Sequence, residues 1–257
     1  MASALALSRK GRIGTEIACE YVFRPLAHVV VLALAPLRVP PPAVVLASTA
    51  SGFAGAVELG RGHLIAAALL VQLKTVLDNA DGQLARLTGR VTVFGRYLDA
   101  ECDLLVDAAL FAGLGWWTGN AVAAAAGFAA MTVVLSVNFN LERLARGGTS
   151  APDPSVLGRV YAVLYGWQDT LIERFVESRL RGADVETRRA YHDPATIGIL
   201  ANMGMSTQLA VFGLCLAVGH PLVFVLVALV ELVLVAALFV RREGFVNIDR
   251  EVALEHR

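Results

Sequence analysis

Long apolar runs alternate with short polar connections along most of the chain. Six runs approach the roughly 20 residues that a helix needs to cross a bilayer core about 30 Å thick. Three of the connections between them are only a few residues long, which is typical of tight hairpins between antiparallel helices. The pattern therefore predicts an all-α, polytopic membrane protein with six transmembrane helices. The six runs cover residues 41–58, 63–87, 97–117, 120–141, 196–218 and 221–241.

A further apolar stretch, residues 25–37, is shorter than a spanning helix and lies between Arg24 and Arg38. That length favours an amphipathic helix in the membrane interface, with a full crossing as the alternative. The first residues, MASALALSRKGRIG, lack the long apolar core of a signal peptide. We therefore expect residues 1–40 to form an N-terminal interfacial segment of the mature chain.

The basic residues are distributed unevenly between the predicted connections. Six spans place both termini on the same side of the membrane. All of the 22 Lys and Arg residues except Arg61 and Lys74 then lie on that side or at a helix end that faces it. Cytoplasmic loops carry such an excess, so we expect the termini and residues 142–195 in the cytoplasm of a bacterial or archaeal-type cell. Part of the segment 142–195 has apolar residues at helical spacing. This spacing predicts an amphipathic helix at the membrane surface, with a plain connector helix as the alternative.

The composition agrees with a chain embedded in lipid. Apolar residues make up 56% of the 257 residues and the mean hydropathy is +0.62, more than a soluble domain of this size requires. The formal net charge is zero, so no nucleic-acid partner is predicted.

We expect one membrane domain over 1–257. Its parts are an interfacial segment (1–40), four spans with the active site (41–141), a cytoplasmic segment (142–195) and two last spans (196–241).

Acidic residues lie inside the second and third runs, where charge is costly and usually functional. Asp78 and Asp81 are three residues apart, and Asp99 and Asp103 are four apart. Each pair therefore shares a helix face. Two antiparallel helices joined by the short basic connection would bring the pairs together. Four carboxylates in a low-dielectric site repel one another, and hard divalent cations such as Mg²⁺ or Mn²⁺ would relieve this.

Residues next to these acids suit a ligand that carries phosphate. Gly82 and Ala85 have almost no side chain, so a nucleotide could approach the helix closely. Arg86 offers a fork of donors for phosphate oxygens. Lys74, one turn before Asp78, fits either an ion pair with that residue or a contact to phosphate.

The third run contains two further acids, Glu101 and Asp107. Glu101 points about 200° away from Asp99 on a helix, so it is left off the site. Asp107 continues the face of Asp99 and Asp103 one turn deeper. It fits either a residue that supports the site or an acid that pairs helices.

The stretch from Asp78 to Asp103 resembles a known family. It meets in full the pattern Asp-x2-Asp-Gly-x2-Ala-Arg-x8-Gly-x3-Asp-x3-Asp, which is similar to the signature of the class I CDP-alcohol phosphotransferases, also called CDP-alcohol phosphatidyltransferases. The six-span layout and the interfacial N-terminal helix also resemble that family. The matching positions are Asp78, Asp81, Gly82, Ala85, Arg86, Gly95, Asp99 and Asp103.

The resemblance implies transfer of a substituted phosphate group from a CDP-alcohol, such as CDP-diacylglycerol, to a hydroxyl acceptor in phospholipid biosynthesis, with release of CMP. It also implies two divalent ions, Mg²⁺ or Mn²⁺, and a homodimer. The four aspartates would hold metal, with Asp103 also the general base. The CDP site would comprise Asp81, Gly82, Ala85, Arg86 and Gly95.

Other functions compete with this one. Transfer from a soluble CDP-alcohol to a lipid or polyol alcohol is the alternative within the same chemistry. A membrane prenyltransferase and a cation transporter are remoter alternatives. The chain has one acidic cluster, whereas a prenyltransferase carries two separated Asp motifs. Arginines beside the cluster would repel the ions of a cation transporter.

One departure from the family concerns the first span, where members often carry Asn-x-x-Thr. Ala43 and Leu46 stand there, which leaves the nucleotide contacts of that span open.

Overall fold

The computed structural model describes residues 13–148 and 154–255, with side chains described as far as residue 244. Every regular element in that part of the chain is a helix, which confirms the predicted all-α fold. Two π-helical turns, Cys19–Phe23 and Ala162–Gly166, run directly into α1 and α7. The α-helices are α1 (Arg24–Leu34), α2 (Pro41–Gly60), α3 (Leu64–Leu87), α4 (Val93–Thr118), α5 (Ala121–Ala145), α6 (Val156–Tyr161), α7 (Trp167–Arg179), α8 (Val185–Tyr191), α9 (Pro194–Ala201), α10 (Met205–Ala217) and α11 (Leu222–Glu255).

Local signals in the sequence set both ends of α4. The Thr92 side chain accepts a hydrogen bond from the backbone N–H of Gly95, which caps the helix at 3.0 Å. The helix ends at Gly119, whose φ of 66° is a left-handed conformation that glycine adopts without steric penalty. Because of the Thr92 cap, α4 begins before the predicted start at residue 97, and the connection from α3 shortens to residues 88–92.

The predicted fifth span, residues 196–218, is two helices separated at residues 202–204. The Glu16 carboxylate explains the break. It accepts the backbone N–H of Thr207 at 2.9 Å and the hydroxyl of the same residue at 3.2 Å. Glu16 therefore caps α10 from the other end of the chain. Gly204 leaves room for this carboxylate, since an added Cβ would lie 2.8 Å from its carbon.

Among the described residues, four stretches are long and apolar enough to cross a membrane, which supports a membrane protein. The α3 and α4 helices are not among them because of their charged residues. At 24 and 26 residues and about 1.5 Å per residue, both exceed a bilayer core of about 30 Å. Length thus permits six crossings, while apolarity alone identifies four. These four are Pro41–Gly60, Ala121–Ala145, Val185–Ala217 and Leu222–Gly244.

The α2 helix holds α3 and α4 in place. Its Ser48 hydroxyl donates to the backbone carbonyl of Lys74 at 3.0 Å. On the other side Gly52 lies against Val106, where an added Cβ would be 2.4 Å from Cγ1. Both helices pack closely on α2, and they approach each other less closely. Side chains of α3 and α4 therefore meet across a gap whose width α2 sets.

Apolar packing supports α3 from two other directions. Ala27 and Val31 of α1 lie in one buried cluster with Ala80 and Leu84 of α3. A second cluster joins α2, α3, α4, α5, α10 and α11, and contains the stacked rings of Phe111 and Phe212. The acid-bearing helix is thus fixed on several sides.

Candidate active site

Three carboxylates from two helices meet in the gap between α3 and α4. Asp78, Asp99 and Asp103 each bring one carboxylate oxygen to within 4.8 Å of the others, and all three are partly exposed. Two oxygens bound to one Mg²⁺ at about 2.1 Å lie roughly 3–4 Å apart. Small side-chain rotations would therefore let these three share an ion. The predicted meeting of acids across the two helices is found for this trio.

Asp81 lies beside this trio and outside it. The residue is 6% exposed, and its Oδ2 atom accepts no hydrogen bond from the described residues. It interacts electrostatically with Asp99, Asp78 and Asp103. A buried carboxylate oxygen without a donor is destabilising, and a cation would compensate for it. The ligand set, made only of carboxylate oxygens, fits hard divalent ions such as Mg²⁺ or Mn²⁺.

Lys74 places a buried positive charge against two of these acids. Its Nζ atom lies 2.8 Å from Asp78 Oδ1 and also donates a short hydrogen bond to Asp103 Oδ1. The residue is 1% exposed. The ion pair with Asp78 is one of the two roles that the sequence suggests for Lys74, and the bond to Asp103 is a contact that the sequence does not indicate. One ammonium carries half the charge of the two carboxylates that it contacts, so the pair of Asp78 and Asp103 fits an added cation.

Two further acids of α4 are buried near the site. Asp107 is 6% exposed and interacts electrostatically with Lys74 and Asp78. Both interactions reach from α4 to α3, so they fit the supporting role and the helix-pairing role alike. Glu101 is 8% exposed and lies outside the trio of oxygens, in line with its angle on the helix.

The residues that are predicted to bind a nucleotide lie on both α3 and α4. The Arg86 guanidinium lies over Gly82, where an added Cβ would be 3.1 Å from Nη1. The missing side chain at Gly82 thus makes room for Arg86, one turn along the same helix. Ala85 is partly exposed beside it. Gly95 lies in the first turn of α4. Their assignment to a CDP site stays a prediction.

Comparison with known proteins bears directly on these residues. The family model described as CDP-alcohol phosphatidyltransferase matches residues 26–167, which is more than half of the chain and includes all four aspartates. The chain belongs to the CDP-alcohol phosphatidyltransferase family. The resemblance carried by the eight motif positions is therefore confirmed, and membership places the chain among transferases of phospholipid biosynthesis.

Curated relatives match parts of this CDP-alcohol phosphatidyltransferase. The phosphatidylinositol phosphate synthase of Corynebacterium glutamicum is 50% identical over 56 residues, 22% of this chain and 26% of that protein. The enzyme of the same name from Mycolicibacterium smegmatis is 46% identical over 78 residues, 30% and 35% of the two chains. The bifunctional IPC transferase and DIPP synthase of Rubrobacter xylanophilus is 37% identical over 103 residues, 40% and 24%. The matches thus span between 24% and 35% of these relatives.

Solved structures include one similar protein in two forms. Mycobacterium tuberculosis phosphatidylinositol phosphate synthase with CDP-DAG bound gives a TM-score of 0.41 at 24% identity, over 76% of this chain and 94% of that one. Its apo form gives 0.40 at 23% identity, over 75% and 96%. Family membership rests on the sequence match.

Sequence reasoning missed three tyrosines beside the aspartates of this phosphatidyltransferase. The Tyr165 hydroxyl donates to the backbone carbonyl of Ala100 at 3.3 Å. The Tyr161 ring centroid lies 5.1 Å from those of both Tyr97 and Tyr165. Burial and the carboxylates of α4 raise the pKa of Tyr165 above its ordinary value, so its hydroxyl stays protonated as a donor. The available signal was two tyrosines one helical turn apart in the amphipathic segment.

A buried polar network joins these tyrosines to α5. Asn140 Nδ2 donates to Asp169 Oδ1 at 2.8 Å, and the Tyr161 hydroxyl donates to Asp169 Oδ2 at 3.0 Å. Asn140 is fully buried and itself accepts from Arg143 at 2.7 Å. The amide of Asn140 and both oxygens of Asp169 have hydrogen-bond partners, and a bonded buried pair of this kind favours one geometry. The segment after α5 therefore has a defined position next to α4.

Proposed function

We propose that this protein transfers a phosphatidyl group from CDP-diacylglycerol to the hydroxyl of a polar acceptor and releases CMP, as a step of phospholipid biosynthesis. The observation that carries the proposal is the trio of carboxylates within 4.8 Å, built by a motif inside the family match. The names of the relatives from C. glutamicum and M. smegmatis support a phosphatidyl donor. They also make an inositol phosphate the first acceptor to test.

We assign metal binding to Asp78, Asp81, Asp99 and Asp103, which together would hold two divalent ions. Bound cations would neutralise the diphosphate and stabilise the departing CMP. Asp103 is also the general base. Lys74 donates to its Oδ1 atom, and the Asp103 carboxylate would take the acceptor proton as the acceptor oxygen attacks phosphorus. Because both contacts of Lys74 are carboxylates, we assign this residue to orienting the acids rather than to binding phosphate.

We assign the CDP site to Asp81, Gly82, Ala85, Arg86 and Gly95. The Arg86 guanidinium, held over Gly82, offers paired donors to phosphate oxygens. Ala85 lets the nucleotide come close to the helix because its side chain is a single methyl group. Leu46 is 56% exposed and has no hydrogen-bonding group, so the first span contributes no side-chain bond there.

We further propose six crossings, with α3 and α4 as the second and third spans and α1 in the interface. The lengths of the two helices support this. The distribution of basic residues supports a cytoplasmic active site and cytoplasmic termini. The family resemblance supports a single membrane domain and a homodimer.

The test uses purified protein in detergent with CDP-diacylglycerol, Mn²⁺ and one acceptor at a time: inositol phosphate, glycerol 3-phosphate or serine. We expect CMP release that a chelator stops, and a lipid product whose mass identifies the acceptor. Asp103→Asn serves as the inactive control. Turnover only with a soluble CDP-alcohol and a lipid alcohol would show that the donor is soluble and that the acceptor is the lipid. Absence of CMP with every CDP-linked donor would overturn the proposal.

A further inference from the structure

We propose that residues 155–179 brace the turn of α4 that carries Asp99 and Asp103, and that Tyr165 is the positioning residue at the contact. The inference rests on the proposed function, because it takes those two aspartates as metal ligands. It assigns a role to a segment that the motif does not include.

The contact with α4 is made at the site itself. The Tyr165 hydroxyl donates to the Ala100 carbonyl at 3.3 Å. Ala100 lies in the single turn that begins at Asp99 and ends at Asp103. A donor that holds this carbonyl limits rotation of the turn about the helix axis. The directions of both carboxylates are then fixed relative to Asp78.

A stack of aromatic rings makes a second contact with the same end of α4. The Tyr97 ring, two residues before Asp99, lies 5.1 Å from the Tyr161 ring at an interplanar angle of 49°. The Tyr161 ring in turn lies 5.1 Å from the Tyr165 ring at 31°. Offset and tilted rings at this separation attract each other. The brace therefore contacts α4 on both sides of Asp99.

The other end of the brace is anchored on α5. Asp169 is 3% exposed and accepts from both Asn140 and the Tyr161 hydroxyl. One turn earlier on α5, the Ser136 hydroxyl donates to the side chain of Gln168. Since α5 is apolar and long enough to span the membrane, it is a rigid support. The polar face of the brace thus connects a transmembrane helix to the metal-bearing turn.

The opposite face of the brace is apolar and exposed. Val163, Trp167 and Leu171 are 75%, 61% and 62% exposed. Apolar side chains on one face of a short helical segment favour contact with the lipid interface. A lipid-linked donor would reach the site from that interface. A plain connector would need neither this face nor the buried bonds to α5.

The experiment removes single hydroxyl groups and keeps the rings. Tyr165→Phe deletes the bond to Ala100, and Tyr161→Phe deletes the bond to Asp169. Tyr21→Phe is the matched control, because Tyr21 is 73% exposed near the other end of the chain. For each variant, Mn²⁺ affinity is measured by electron paramagnetic resonance without substrates. The kcat and the KM for CDP-diacylglycerol are then measured separately.

We expect Tyr165→Phe to weaken Mn²⁺ binding and to lower kcat about two- to tenfold each, the range of one hydrogen bond, with the donor KM unchanged. Tyr161→Phe should act in the same direction and less strongly. The double variant should lose less than the product of the single effects, because both changes act through one brace. Tyr21→Phe should match the wild type.

Unchanged Mn²⁺ affinity and kcat in both Tyr165→Phe and Tyr165→Ala would overturn the brace, even if the melting temperature fell. Weaker Mn²⁺ binding in Tyr165→Phe would support the brace even if the wild type turned over no CDP-alcohol. In that case only the proposed function would fail, so the two failures are distinguishable.

Discussion

The Lys74 ammonium lies 2.8 Å from the Asp78 carboxylate one helical turn away, and the same ammonium donates to Asp103 on the neighbouring helix. Lys74 is thus a fixed cation that connects α3 to α4 from inside the protein. At 1% exposure it has no access to water. The two carboxylates depend on it whenever no metal is bound.

Replacing Lys74 by Met should therefore destabilise the metal-free protein. The loss is expected toward the lower end of the roughly 3–5 kcal/mol for breaking a buried ion pair, because Asp78 and Asp103 are partly exposed. Added Mn²⁺ should restore part of it, since a metal ion replaces the missing charge. Thermal unfolding in detergent, with chelator and then with Mn²⁺, measures both effects.

The control for this prediction is Arg61→Met. Arg61 pairs with Glu58 at 2.9 Å on an exposed surface, where an ion pair contributes about 0–1 kcal/mol. A Lys74→Met protein as stable in chelator as the wild type would show that the bonds to Asp78 and Asp103 do not contribute to folding.

Neutralising any one acid of the trio should nearly abolish turnover. Asp78→Asn, Asp99→Asn and Asp103→Asn should each reduce CMP release roughly 100-fold or more, because several kcal/mol of charge stabilisation are lost. Glu101→Gln makes the same chemical change on the same helix outside the trio. Its rate should stay within about twofold of the wild type. Equal losses in Glu101→Gln and Asp99→Asn would mean that the effect is not specific to the trio.

Asp81 allows a finer test of the same site. Because Asp81 lies beside the trio rather than within it, Asp81→Asn should remove one bound Mn²⁺ and leave the other. Counting bound Mn²⁺ by electron paramagnetic resonance, next to the CMP assay, separates this result from loss of both ions.

Local geometry explains how much of this site could be predicted. The spacing of Asp99 and Asp103 determines a shared face because helical periodicity is a local property. The break before α10 could not be foreseen, since its cap is Glu16, 191 residues away along the chain. The bond from Tyr165 to Ala100 spans 65 residues and depends on how α5 and α7 pack. Contacts between distant segments leave no periodic signal in the sequence.

The gap between α3 and α4 should widen when α2 is enlarged at Gly52. In Gly52→Ala the new Cβ would lie 2.4 Å from the branched Val106 side chain, and such overpacking costs about 1–3 kcal/mol. Because Val106 lies in the turn after Asp103, CMP release should fall together with the melting temperature. Gly60→Ala is the matched control on α2, where the nearest atom would be at an ordinary 3.8 Å. Equal behaviour of the two variants would contradict the close contact between α2 and α4.

The cap that Glu16 places on α10 should fail when Gly204 gains a side chain. In Gly204→Ala the carboxylate must move away, so the stability should fall by about 1 kcal/mol, the usual contribution of a helix cap. Glu16→Ala should lose a similar amount, and the double variant little more, because both changes remove the same bonds. Gly198→Ala, with open space around the new Cβ, should be neutral or slightly stabilising. Additive losses of stability in the double variant would show that Gly204→Ala does not act through the Glu16 cap.

Whether α3 and α4 cross the membrane can be decided by labelling one residue before α3 and one residue between α3 and α4. With six spans, the exposed residues Arg61 and Arg90 lie on opposite sides, because α3 separates them. If α3 and α4 did not cross, both would lie on the same side. We expect a membrane-impermeant maleimide to label Arg61→Cys in intact cells and Arg90→Cys only after permeabilisation. The unmodified protein measures background, since Cys19 and Cys215 are buried and Cys102 is partly buried. Labelling of both variants in intact cells would reduce the topology to four spans and place the aspartates outside the bilayer.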